Sequence, residues 1–101
     1  MISDVIFKNK MYYALDEKGK EISKDWESNT GELMGFNSEF MLFLKNKMYY
    51  TRDSNFKEIS KDWESSLGDF KSISGKTVNF IKNKMIYTRD SKLKEISKRW
   101  A

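Results

Sequence analysis

The sequence predicts a mainly β protein assembled from three 37-residue repeats of about four short strands each. Two observations carry that reading. The tetrapeptide K-N-K-M recurs at Lys8, Lys45 and Lys82, a spacing of 37 residues both times, and a fixed period of this length marks a repeat architecture. Around each copy stand tyrosines, threonines and isoleucines that favour strands, separated by Asn, Asp, Ser and Gly that favour turns. The matched segments end at Trp26, Trp63 and Trp100, and the last two copies share 15 of 19 residues. One repeat domain over 1-101 is expected, with units of approximately 1-37, 38-74 and 75-101, the last lacking its final quarter.

Each element follows from its residues. Val5 to Phe7, Phe40 to Leu44 and Val78 to Ile81 are apolar stretches. In the second copy they are apolar on both parities, the pattern of a strand covered on both faces. K-N-K is then a tight hairpin turn, with Asn9, Asn46 and Asn83 able to take positive φ, and M-Y-Y-T-R after it is a second strand. In D-E-K-G, Asp16 starts a type I turn and Gly19 takes the left-handed position of a bulged hairpin. A third strand is predicted over Lys20 to Trp26, and a fourth over Gly31 to Phe36 and Asp69 to Ser74.

A rival reading makes each unit strand, strand, helix. Phe56, Ile59, Ser60, Trp63 and Leu67 lie at helical spacing, with Asp53 or Ser54 as N-cap and Gly68 as C-cap. Gly19 stands where the second copy has Phe56 and breaks that stripe in the first copy, which ranks the all-strand unit higher. A β-trefoil also has three units of four strands, but 101 residues is short for one.

The hairpin K-M-Y-Y-T-R-D-S-N-F-K-E-I-S resembles the repeating inner hairpins of bacterial β-propellers. K-M-Y-Y-A-L-D-E-K-G-K is similar to the Y-Y-x-x-D-x-x-G-K hairpins of choline-binding and glucan-binding cell-wall repeats, which are about half as long and use an aromatic-Gly punctuation missing here. Both likenesses cover the hairpin alone, so they imply a propeller-blade-like unit and carry over no ligand site. Three blades are too few to close a propeller within one chain. Residues 1–38 hold 5 cations against 7 anions and residues 76–101 hold 8 against 2, so the two ends have opposite sign. A homo-oligomer, most simply a head-to-tail dimer, is expected to close the ring.

Composition narrows function. The chain has no Cys and no His, which excludes a thiolate nucleophile, an imidazole base, a thiolate or imidazole zinc site and a disulfide framework. No phosphate loop, nucleophile elbow or alternating-aspartate calcium loop is present; a non-enzyme without cofactor or metal is expected. Met1 to Lys8 has neither a basic leader nor a sustained apolar run, and no segment has the roughly 20 apolar residues of a membrane span. A cytoplasmic chain with no membrane contact is the expectation. Abundant Lys, Asn and Ile is the residue usage of an AT-rich bacterial or phage genome.

The binding candidates are Trp26, Trp63, Trp100, Tyr12, Tyr49, Arg89, Lys98 and Arg99. An aromatic platform beside a carboxylate, as in Trp26-Glu27 and Trp63-Glu64, is what a sugar ring asks for, although a repeated Trp more often packs between blades. The expected function is non-catalytic engagement of a macromolecule, a protein first, in the manner of small inhibitors, immunity proteins and phage anti-defence proteins. A lectin-like carbohydrate module comes second. Nucleic acid comes third, because basic residues interleaved with aromatics can bind phosphates and bases but the net charge is only +4. Arg99 stands where the other copies have Asp25 and Asp62. If that reversal serves an acidic partner, Arg99→Asp weakens association by about 1–3 kcal/mol for a close, partly desolvated pair and flattens its salt dependence; affinities at two salt concentrations measure both.

Overall fold

The computed structural model describes residues 1–101 and is mainly β. Eleven strands form three antiparallel sheets. The first holds β1 (Asp4–Lys8), β2 (Met11–Leu15) and β3 (Glu21–Trp26); the second holds β4 (Glu32–Phe36), β5 (Met41–Lys45), β6 (Met48–Arg52) and β7 (Glu58–Trp63); the third holds β8 (Asp69–Ser74), β9 (Thr77–Lys82), β10 (Met85–Arg89) and β11 (Glu95–Trp100). Within each sheet the strands lie in chain order. Two helical turns, α1 (Glu27–Thr30) and α2 (Glu64–Leu67), carry the chain from one sheet to the next. The residues leading to each Trp are strand, and the helical rival survives only as these turns beyond the Trp.

The strand predicted as fourth in its unit pairs with the strand that follows it. Phe36 faces Met41 and Ile73 faces Val78, so the breaks drawn at 37/38 and 74/75 fall inside sheets. The reason is local. The Asn37 carboxamide accepts the Glu39 and Phe40 N–H groups, both at 2.9 Å, which folds β4 back onto β5. After Trp26 and Trp63, by contrast, the chain leaves the sheet through a helical turn and a glycine. At Gly31 (φ 84°) a Cβ would meet the Leu44 carbonyl at 2.5 Å, and Gly68 (φ 96°) packs in the same way on Ile81. The three-stranded sheet is therefore the first, which lacks an equivalent of β4 and β8.

The turns follow their side chains. At K-N-K both central residues have positive φ, as at Asn46 (51°) and Lys47 (65°), which is the two-residue type I′ hairpin. Asp16, Asp53 and Asp90 accept the backbone N–H groups two and four residues on at 2.8–3.0 Å, which makes them turn-formers. Gly19 (φ 76°), Phe56 (φ 62°) and Leu93 (φ 62°) share one left-handed position. A side chain there costs about 1–2 kcal/mol. Phe56 and Leu93 are buried, a return of about 1.5–3 kcal/mol; at Gly19 nothing lies within 4 Å.

Two cores fill the spaces between the sheets. Ile2, Tyr12, Ala14, Met41, Phe43 and Phe56 lie between the first and second, while Phe40, Leu42, Tyr49, Leu67, Val78, Phe80 and Leu93 lie between the second and third. Phe40 to Phe43 are wholly buried, since their alternate side chains enter opposite cores. Each junction is also pinned by hydrogen bonds repeated at the 37-residue offset. The Leu33 N–H donates to the Tyr12 hydroxyl at 3.0 Å, and the Phe70 N–H to the Tyr49 hydroxyl at 3.1 Å. Lys45 donates to the Asn29 carbonyl at 3.2 Å, and Lys82 to the Ser66 carbonyl at 3.1 Å.

Tyr49→Phe keeps the ring and removes the acceptor of the Phe70 N–H. A loss of about 1 kcal/mol is expected in urea unfolding, the low end of the cost of an unpaired donor because the Phe70 N–H is only part-buried. Burial also holds the Tyr49 hydroxyl protonated above its ordinary pKa of 10.0, against the opposing Phe70 N–H and with help from Glu64 and Asp69. The unfolded chain ionises first, so this contribution is whole below pH 10 and is lost as pH rises through the higher folded value. Tyr49→Phe should remove that part of the alkaline decline.

Candidate functional site

All three tryptophans stand at the same end of their sheets, on the outermost strand beside the K-N-K turn. The backbone repeats three times: the N–H after Trp26, Trp63 and Trp100 donates to the carbonyl of Lys10, Lys47 and Lys84 at 2.9–3.0 Å. Cross-strand partners are Met11, Met48 and Met85. The indoles do not pack between sheets. Trp26 is 51% exposed, Trp63 54% and Trp100 75%, because the outer ends of the sheets extend past the cores. The Asp25 and Asp62 carboxylates accept the N–H of the following Trp at 2.7 and 2.8 Å, which fixes the backbone from which the indole projects; Arg99 cannot.

Beside Trp63 lies an open depression of about 410 Å³ lined by Lys47, Trp63, Glu64, Ser65, Gly68 and Asp69. It brings together an indole face, two carboxylates, an ammonium and a hydroxyl. Lys47 comes from the hairpin turn, Glu64 and Ser65 from α2, and Asp69 from the start of β8. Sequence reading found Trp63 and Glu64 and missed Lys47 and Asp69 as their neighbours. The available signal was the repetition of Lys10 at Lys47 and of Glu32 at Asp69, each at the 37-residue offset.

The other candidates are dispersed. Tyr12 and Tyr49 are buried, and their hydroxyls are used in joining sheets, so neither offers a surface to a ligand. Arg89 is half-buried; it donates to the Leu93 carbonyl at 2.8 Å and lies over the Tyr87 ring at 5.8 Å. Lys98 and Arg99 are exposed but, as neighbours on a strand, point to opposite faces of the third sheet. Arg99 pairs across the strand with Ile86, and Lys98 with Tyr87. The structure does not gather these three cations into one patch.

No family model matches the chain, and neither the curated proteins nor the solved structures hold a significant match. No helix is long and apolar enough to cross a membrane.

If the depression is formed by the fold rather than by Trp63 itself, Trp63→Ala should change unfolding free energy by less than about 1 kcal/mol, since surface changes away from core features cost little. Leu67→Ala, at the end of α2 and buried in the core between the second and third sheets, should cost about 2–5 kcal/mol. Urea denaturation of both variants gives the comparison.

Proposed function

We propose that this chain is a non-catalytic binding protein that grips a protein partner through the tryptophan ends of its sheets. The observation that carries this reading is the repeated exposure of Trp26, Trp63 and Trp100 at one register position, half or more open in every sheet. Large aromatics, tryptophan foremost, are among the residues from which protein interfaces draw most of their binding energy. A lysine-bearing turn accompanies every indole, so an acidic partner surface is favoured.

A second reading is carbohydrate binding. It is favoured by the depression beside Trp63, where Glu64 and Asp69 flank the indole: a sugar ring stacks on an aromatic face and donates hydroxyls to carboxylates. Nucleic acid has the weakest support, because the cations of the third sheet are spread over both faces. The strand order within each sheet is that of a propeller blade, and we read the chain as an arc of such blades. A second copy is the proposed means of closing it, with the net −2 of residues 1–38 facing the +6 of residues 76–101. Ile86 replaces the tyrosine of the internal junctions, so that contact would form without a hydroxyl pin.

Trp26→Ala, Trp63→Ala and Trp100→Ala test the reading when assayed against a partner captured from lysate, with a glycan array in parallel. At least a tenfold loss of partner affinity for Trp63→Ala is expected, about 1.4 kcal/mol, with an unchanged urea midpoint. Loss of a glycan signal instead would move the assignment to carbohydrate. Wild-type behaviour in both assays would remove the tryptophans from the site.

A further inference from the structure

The first sheet is built like its two sisters except that it has three strands where they have four. In the second and third sheets the inner edge is closed by β4 and β8, which pair with β5 and β9. The equivalent edge of the first sheet belongs to β1, and no strand covers it. Phe7 is 52% exposed and Ile6 41%, while their equivalents Leu44 and Phe43 are half-buried and wholly buried.

Backbone geometry says which groups are free. In a two-residue hairpin the pair next to the turn exchanges both hydrogen bonds, and pairing alternates from there. Lys8 faces Met11, Ile6 faces Tyr13 and Asp4 faces Leu15, so these residues bond to β2, whereas Val5 and Phe7 aim their N–H and C=O groups away from it. The Val5 N–H donates to the Asp4 carboxylate of its own strand at 2.8 Å, a substitute for an absent ladder partner.

We propose that the β1 edge is a strand-addition site, and that its occupant is an extended segment of another polypeptide reading acidic, large apolar, any residue, small, apolar. That pattern is read from the strands that fill the lane elsewhere, E-L-M-G-F in β4 and D-F-K-S-I in β8. The acidic residue begins the strand, opposite Leu44 or Ile81 and next to Lys45 or Lys82. In the first sheet Lys8 holds the corresponding place, exposed, with no acidic neighbour paired to it. The large apolar residue pairs with Phe43 or Phe80, the equivalents of Ile6. The small residue is set by the adjoining sheet: a Cβ on Gly35 would lie 2.6 Å from Ile73 Cγ2 and 3.2 Å from Phe70. A strand added to β1 would meet Phe36 and Leu33 of β4 in the same relation. Main-chain hydrogen bonds supply affinity in such additions and side-chain pockets supply selectivity.

The probe is a synthetic peptide copying residues 31–37, Gly-Glu-Leu-Met-Gly-Phe-Asn, against intact protein, with a scrambled peptide and a peptide carrying Val in place of its second Gly as controls. Saturable binding is expected, with amide exchange at Val5 and Phe7 slowed at least tenfold and exchange at Ile6, already bonded to Tyr13, unchanged. The Val-bearing peptide should bind at least tenfold more weakly. Unchanged Val5 and Phe7 exchange at millimolar peptide, or equal binding of the scrambled peptide, would overturn the proposal. Protection of Val5 and Phe7 that rises with protein concentration alone would overturn its choice of occupant, showing that a second copy takes the lane.

Discussion

A sheet of four five-residue strands has two faces and too little width to bury either against itself. Everything else in this protein follows from that constraint. The apolar residues on alternate parities of β5 have somewhere to go only if a sheet lies on each side, and the second sheet is the one that has both neighbours. Phe40 and Leu42 enter one core, Met41 and Phe43 the other. The Tyr12 and Tyr49 hydroxyls then register each sheet on the next by accepting a backbone N–H from its first strand. Packing supplies the attraction, and these directional bonds choose one sliding position among many.

The end sheets show what the rule does where it lacks a neighbour. On the outer face of the third sheet, Asn79 and Thr88 stand where the second has Leu42 and Thr51. Thr88 donates to Asn79 at 2.6 Å, and Asn79 to Ser72 at 3.1 Å, so a polar ladder covers a face that is apolar in the second sheet. Such a polar outer face is how terminal repeats stay soluble. The first sheet takes the other course. Ile6, Tyr13 and Leu15 line a depression of about 260 Å³ with Lys8, Gly19 and Glu21, beside the bare edge of β1. One end of the stack is closed and the other is open, an asymmetry that the near-identity of the hairpins conceals.

Much of the fold was legible because the signals were local and came three times. K-N-K had to be a tight turn, Asp16 a turn-former, and the aromatic stretches strands. What failed was phase: nothing in G-E-L-M-G-F says whether the strand closes the sheet behind it or opens the one ahead, since the deciding contacts are Asn37 to Phe40 and Gly31 to Leu44. The left-handed Phe56 and Leu93 were invisible for a related reason. Their backbone strain is tolerable only through burial against a neighbouring sheet, and a pattern reading with no third dimension counted Phe56 toward a helical stripe. At the site, the usual fate of a repeated Trp is burial between repeats, but these indoles sit beyond the end of the core. The same register that exposes Trp63 brings Asp69 beside it, six positions on, marked in the sequence only as the counterpart of Glu32 one repeat earlier.

Native-state hydrogen exchange tests most directly whether the second sheet holds the structure together. Amides of β5 and β6 should exchange slowest and with one shared free energy equal to that of global unfolding, while those of β1 and β11, bonded on one side only, exchange sooner. Sheets that open independently, each with its own free energy, or a slowest set confined to the first or third sheet, would contradict it.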